Sequence, residues 1–167
     1  MDDDTEDIRQ ALRKVSLFSD VLSADQLADL ARDCSPLFFL AGTILMGQGD
    51  LAASMFCITD GIVSIAFVDA RDQRREIRQL GAGSVVGEIE LLTGARRLAT
   101  VTAVTHVRAL EISKSALENA FARSPDLIEA FASVLAIRQA MLEQIAHEGA
   151  GPLQIRLLRQ IRKAFSS

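Results

Sequence analysis

The segment Gly87-Glu-Ile-Glu-Leu-Leu-Thr-Gly-Ala-Arg-Arg-Leu-Ala-Thr-Val101 concentrates the residues of this chain that could hold a small charged ligand. A short helical turn starting at Gly87 and Glu88 leaves free backbone N–H groups, a ready anion site. A glycine there lets a ligand come close to the main chain. Arg97 adds a permanently charged planar fork suited to a phosphate. Glu88 offers only acceptor oxygens and suits a sugar hydroxyl. An acid beside an anion site makes sense for a ligand that presents both groups. Taken alone, Glu88 and Arg97 would be an ordinary loop ion pair, because most Arg/Glu pairs are surface decoration.

Other chemistry finds little material. His106 and His147 are the only histidines, so a His-rich metal site cannot be built. No Ser or Cys has a histidine partner in the pattern. His106 reads as an edge or loop residue and His147 as a helix C-terminal one, favoured there by the dipole. Cys34 and Cys57 sit in apolar stretches without ligand spacing and read as buried free thiols of a reducing compartment. The expectation is a protein that is no enzyme and needs no metal or cofactor. A net charge of −4 argues against nucleic-acid binding by electrostatics. No apolar run approaches the roughly 18–20 residues of a membrane span, and the acidic start MDDDTED is unlike a signal peptide. The chain is therefore expected to be soluble and cytoplasmic, without inserting into a membrane itself. A hydrophobic fraction of 49% is ample for a core.

The elements that must position the segment follow from periodicity. Ile8, Leu12 and Val15 recur at helical spacing. Ser23 to Gln26 reads as a capping box, with Leu22 and Leu27 as the hydrophobic staple of a helix ending near Asp33. The period then shortens. Apolar runs at 37–40, 43–46, 55–58, 62–68, 76–80, 100–104 and 107–112 alternate with Gly/Asp punctuation and read as short strands of a double-sheet roll. Within 62–68, Val63, Ile65 and Phe67 alternate with Ile62, Ser64 and Ala66. Helix returns after Ile112, with Ser115 to Glu118 read as a second capping box. Ser124 and Pro125 cap a long helix to about His147, ended by Gly149 and Gly151-Pro152. A last short helix, Leu153 to Phe165, carries Arg156, Arg159, Arg162 and Lys163, the pattern of a packed amphipathic helix.

With these elements in place, the segment resembles the phosphate-binding cassette of cyclic-nucleotide-binding domains, as found in the catabolite activator protein, kinase regulatory subunits and cyclic-nucleotide-gated channels. Gly87, Glu88, Ile89, Leu91, Leu92, Arg97, Ala99, Thr100 and Val101 stand in the family's register. The resemblance extends upstream through Val15 to Phe18, Leu22 to Leu27, Gly49-Asp50 and Met55 to Gly61, and covers about residues 12–145. It implies an α+β, mainly β fold: an eight-stranded β-roll or jelly roll with N-terminal helices and C-terminal lid helices. One domain is expected over 1–167, divided into helices at 1–34, a roll at 35–113 with the cassette at 87–101, C-terminal helices at 114–148 and a basic tail at 149–167.

The resemblance also implies roles. Glu88 would take the ribose 2′-hydroxyl and Arg97 the exocyclic phosphate oxygens. Backbone N–H groups of Gly87, Glu88, Ile89 and Glu90 and near Ala99 would complete the cradle. Ile65 and Val85 are the candidates for the wall beneath the base, and Thr100 supports the cassette through its side chain. Three positions depart from the family. Leu98 replaces a frequent Ser or Thr that helps hold cyclic GMP, which favours cyclic AMP. Arg96 replaces a usual proline, loosening the loop while adding charge. Glu90 replaces a small residue and should weaken phosphate binding unless it points outward.

In the last long helix, Leu127, Phe131, Val134, Met141 and Ile145 follow the spacing of a seam, and Arg138 falls on it. Two readings of Arg138 stay open: a lid residue that stacks on or bonds the base, or a side chain that snorkels to solvent or pairs with an acid such as Glu143. The function implied is a cyclic AMP sensor whose lid helix closes over the ligand to regulate an attached or partner module, with a bacterial ion channel preferred. The alternatives are the sensor half of a catabolite-activator-like regulator without its DNA-binding domain, or a degenerate domain acting as an interaction module. Homo-oligomerisation is left open.

Overall fold

The computed structural model describes residues 3–146, with side chains up to residue 137. Three helices open the chain: α1 (Asp3–Arg13), α2 (Ser16–Ser19) and α3 (Ala24–Arg32). The first capping box forms as read. Ser23 Oγ accepts the Gln26 amide at 3.2 Å, and the Ser23 amide donates to Gln26 Oε1 at 2.8 Å. Leu22 and Leu27, either side of this cap, are buried in one apolar cluster.

Eight strands follow: β1 (Cys34–Phe39), β2 (Ile44–Met46), β3 (Ser54–Asp60), β4 (Val63–Val68), β5 (Arg74–Leu80), β6 (Val85–Val86), β7 (Thr100–Ala103) and β8 (Val107–Ser113). A short helix, α4 (Glu88–Thr93), lies between β6 and β7, and α5 (Lys114–Arg123) and α6 (Asp126–Ala146) complete the described chain. The strands form two four-stranded antiparallel sheets, ordered β1-β8-β3-β6 and β2-β7-β4-β5. The α+β, eight-stranded roll with helices at both ends is thus the observed architecture.

The first sheet is covered on both faces. Along β3, Met55 and Cys57 join the cluster under the helices, whereas Phe56 and Ile58 join the cluster between the sheets. Successive strand residues point to opposite faces, so a strand buried on both sides reads as an unbroken apolar run. In the second sheet the edge strand β5 is exposed from Arg74 to Gln79. A charged edge of this kind resists pairing with other chains.

Four details differ from the sequence reading. The two-residue strand β6 has too few residues to show a period. The alternation in β4 breaks where its pairing with β5 shifts register: Ile65 faces Arg78 but Ala66 faces Glu76, which leaves Ile77 bulged. Ser64 is buried, and its hydroxyl donates to Glu76 Oε1 at 2.6 Å. Helix α5 is capped by Ser113, whose Oγ accepts the Ala116 amide at 3.1 Å, and not by Ser115. Ser113 ends β8 in extended conformation, so the helix starts directly off the strand and Ser115 falls inside it. In α6 the fully buried stripe is Leu127, Phe131, Ala132, Leu135 and Ala136, with Val134 only partly covered. Met141 and Ile145 lie outside the described side chains, and His147 and the tail 149–167 lie outside the described residues.

Both cysteines are free and buried, as expected. Cys34 Sγ donates to Leu30 O at 3.3 Å, and burial pushes this thiol up to about 12. Burial pushes the Cys57 thiol well up too, with smaller contributions from Cys34 and Glu88. Neither thiol has the lowered pKa of a reactive cysteine.

Phe131 ties α6 to the body of the domain. Its ring meets Phe18 of α2 edge-on at 6.2 Å and Phe121 of α5 at 5.7 Å. Phe131→Ala should therefore cost about 3–5 kcal/mol of stability by removing a buried ring and leaving a cavity. Urea unfolding should show a lower midpoint at unchanged slope; a loss below about 1 kcal/mol would mean that the site collapses freely around the smaller side chain.

Candidate ligand-binding site

The site grows from Gly87, at the junction of β6 and α4. Its φ of 82° and ψ of 8° lie in the left-handed region that glycine enters without strain. A Cβ at this position would stand 2.5 Å from Arg97 Nη1 and 2.7 Å from Met46 Cε. Glycine is therefore needed twice, once for the turn and once so that the arginine can cross over it.

Arg97 is the anchor. It is 4% exposed, and its guanidinium donates to Gly87 O at 2.7 Å through Nη1 and to Ser54 O through Nη2. The side chain thus links the start of α4 to the start of β3. Burial pulls its pKa down from the ordinary guanidinium value, against opposing fields from Glu90, Glu88 and Asp50 in decreasing order. It remains a cation. Arg97 forms an ion pair with Glu90, whose Oε2 lies 4.0 Å from Nη1, and the field of Glu88 reaches it as well.

A second loop clasps the cassette from outside. The Arg97 amide donates to Asp50 O at 2.8 Å and the Gly49 amide donates to Arg97 O at 2.7 Å. Leu51 forms a β-bridge with Arg96, and Arg96 Nη1 donates to Gly49 O at 3.0 Å. Arg96 therefore pins the loop where the sequence led us to expect loosening: the bridge and this bond supply the order that a proline would otherwise give. Thr100 Oγ1 accepts the Gln48 amide at 3.0 Å, a supporting role of the kind read for it. The Gln48 side chain bonds both the amide and the carbonyl of Val68, which fastens this loop to β4.

The remaining candidates are distributed as follows. Glu88 opens α4 and is partly buried, as is Ala99 beyond Arg97. Ile89 packs toward the cluster under the helices, so only its main chain belongs to the cassette. Glu90 points inward, with its side chain 17% exposed. Leu98 is 75% exposed at the loop surface. Ile65 packs against the cluster between the sheets and Val85 against the cluster under the helices, so the two wall candidates belong to different apolar groups. Arg138 falls within α6, but its side chain lies outside the described residues.

Ser54, Asp50 and Met46 belong to the site and were not singled out from sequence. Asp50 was visible only as half of a Gly-Asp turn. Ser54 acts through its carbonyl, which no side-chain pattern signals.

Comparison with known proteins places this geometry. The family model described as cyclic nucleotide-binding domain matches residues 36–124, more than half of the chain. A cyclic nucleotide-gated potassium channel of Rhizobium etli is 31% identical over 135 residues, 81% of this chain and 34% of the channel. A CRP-like cAMP-activated global transcriptional regulator of Mycobacterium tuberculosis is 24% identical over 129 residues, 77% of this chain and 57% of the regulator. The chain thus spans between a third and three fifths of the length of these relatives. Among solved structures, the N-terminal domain of a transcriptional regulator from Streptomyces coelicolor has a TM-score of 0.69 at 24% identity, covering 85% of this chain and 99% of that one, a likeness of fold. Because the family match runs from within β1 to the end of α5, across the whole roll and the cassette inside it, the chain belongs to the family of cyclic nucleotide-binding domains.

Proposed function

We propose that this domain is a cyclic AMP sensor, with Arg97 receiving the exocyclic phosphate oxygens and Glu88 the ribose 2′-hydroxyl. The observation that carries this reading is the burial of Arg97 at the junction of α4, β3 and the 47–51 loop, fixed by the main-chain carbonyls of Gly87 and Ser54. A cation held in place before the ligand arrives loses little side-chain entropy on binding. Its donors suit a phosphate, and the main-chain N–H groups of Gly87 to Glu90 and near Ala99 would share the charge. Exposed Leu98 offers no hydroxyl to a guanine base, which favours cyclic AMP over cyclic GMP. The name of the Mycobacterium tuberculosis relative is in keeping with that ligand.

The output we propose is movement of a lid formed by the far part of α6. Leu127, Phe131, Ala132, Leu135 and Ala136 are packed into the core, so the pivot we propose lies beyond Ala136, in the stretch that carries Arg138. Ligand would draw this stretch over the base, and a swing from mostly open to mostly closed needs about 5 kcal/mol of differential binding. The attached module is proposed to be an ion channel, given the extent of the match to the Rhizobium etli channel. In this reading residues 1–167 act as one cytoplasmic sensing unit that catalyses nothing. Among the described residues no helix is long and apolar enough to cross a membrane.

Calorimetric titration of the stripped, refolded domain with cyclic AMP and cyclic GMP tests the reading, with saturable one-site binding expected and cyclic AMP preferred. Arg97→Ala should weaken cyclic AMP binding by roughly 2–5 kcal/mol, because a charge partner is lost from a desolvated site. A change under twofold would remove Arg97 from the phosphate. Leu98→Thr, at an exposed position where stability should shift by less than about 0.5 kcal/mol, should raise cyclic GMP affinity relative to cyclic AMP. An unchanged ratio would dissociate position 98 from selectivity. Arg138→Ala should cost affinity while leaving the melting temperature of the free domain in place; the reverse pattern would make it a packing residue.

A further inference from the structure

Around Arg97 the charges do not describe a simple anion cradle. Glu90 Oε2 lies 4.0 Å from Arg97 Nη1 and Glu90 Oε1 accepts the Leu98 amide at 3.5 Å, so one carboxylate spans the guanidinium and a main-chain N–H of the same loop. Both separations stand at the outer limit of direct contact. The carboxylate is near enough to balance Arg97 yet is not clamped to it. Of the three carboxylates whose fields reach Arg97, that of Glu90 acts most strongly, ahead of Glu88 and Asp50.

We propose that Glu90 is the resident counter-anion of the cassette: its carboxylate spans Arg97 and the Leu98 amide, the donors offered to a ligand phosphate, and an incoming cyclic nucleotide must displace it. This inference rests on the function proposed above and assigns to Glu90 the setting of the ligand threshold. Two effects of opposite sign follow. Without ligand, Glu90 supplies the strongest of the carboxylate fields that stabilise a desolvated guanidinium. With ligand, the same carboxylate repels the phosphate in a site where screening by water is weak. A surface ion pair would move neither quantity, and a residue important only for packing would lower stability without improving binding.

Glu90→Gln, which keeps the shape and removes the charge, and Glu90→Ala, which removes both, should be titrated with cyclic AMP beside the unmodified domain, and all three melted without ligand. The expected result is at least tenfold tighter cyclic AMP binding by both variants together with lower ligand-free melting temperatures. Binding by the variants alone, with none measurable for the unmodified domain, would be the same result in its strongest form. Unchanged or weaker affinity in both variants, where the unmodified domain binds and Arg97→Ala does not, would overturn the role of Glu90 and leave the sensor reading standing. No nucleotide binding by any of the three proteins, each shown folded by circular dichroism, would overturn the sensor reading and the displacement step with it.

Discussion

The site depends on a buried guanidinium that is satisfied by the main chain. Removing a cation from water is costly unless its donors are matched, and Arg97 meets that demand with the carbonyls of Gly87 and Ser54. Those acceptors belong to two elements far apart in sequence, so the side chain acts as a cross-link between the cassette and β3. The constraint propagates outward. Gly87 must lack a Cβ for the crossing to occur, Met46 closes the other side, and the 47–51 loop brackets the Arg97 main chain from both its amide and its carbonyl. The charge that would serve a ligand is thus also what gives the loop its shape.

The body beneath the loop is built on other terms. The first sheet lies between the helices and the second sheet, and its strands β3 and β8 contribute to both apolar clusters. The hydrophobic effect rewards that burial in proportion to area and without regard to direction. Cassette bonds, by contrast, need donors and acceptors within tenths of an ångström. Phe131, which packs α6 against Phe18 and Phe121, stands on the apolar side of this division; Glu90 and Arg97 stand on the polar side.

That division explains what could be read from the sequence. Elements set by periodicity and local capping were legible: the box at Ser23 and Gln26, the strand runs and the helical return after Ile112. The segment 87–101 stood out because its residue types are unusual together. What stayed hidden depends on contacts between distant parts of the chain. The partner of Arg97 at Ser54 is a carbonyl 43 positions away, and β6 is a strand only because Val85 and Val86 lie opposite Cys57 and Phe56. The cap of α5 was misplaced because Ser113 and Ser115 are both plausible by composition, and only the end of β8 decides between them.

Glu90 shows how the two sets of terms can separate within one family. Its backbone keeps α4 in place, with its carbonyl accepting the Gly94 amide at 2.9 Å, so the exchange of a small residue for glutamate leaves the turn intact. Its side chain nonetheless places a carboxylate 4.0 Å from the Arg97 guanidinium. Sequence register and fold can therefore be retained while the charge around Arg97 is changed by one carboxylate. A substitution of this kind need not disturb the apolar core, because the core and the cradle share the polypeptide but draw on different interactions.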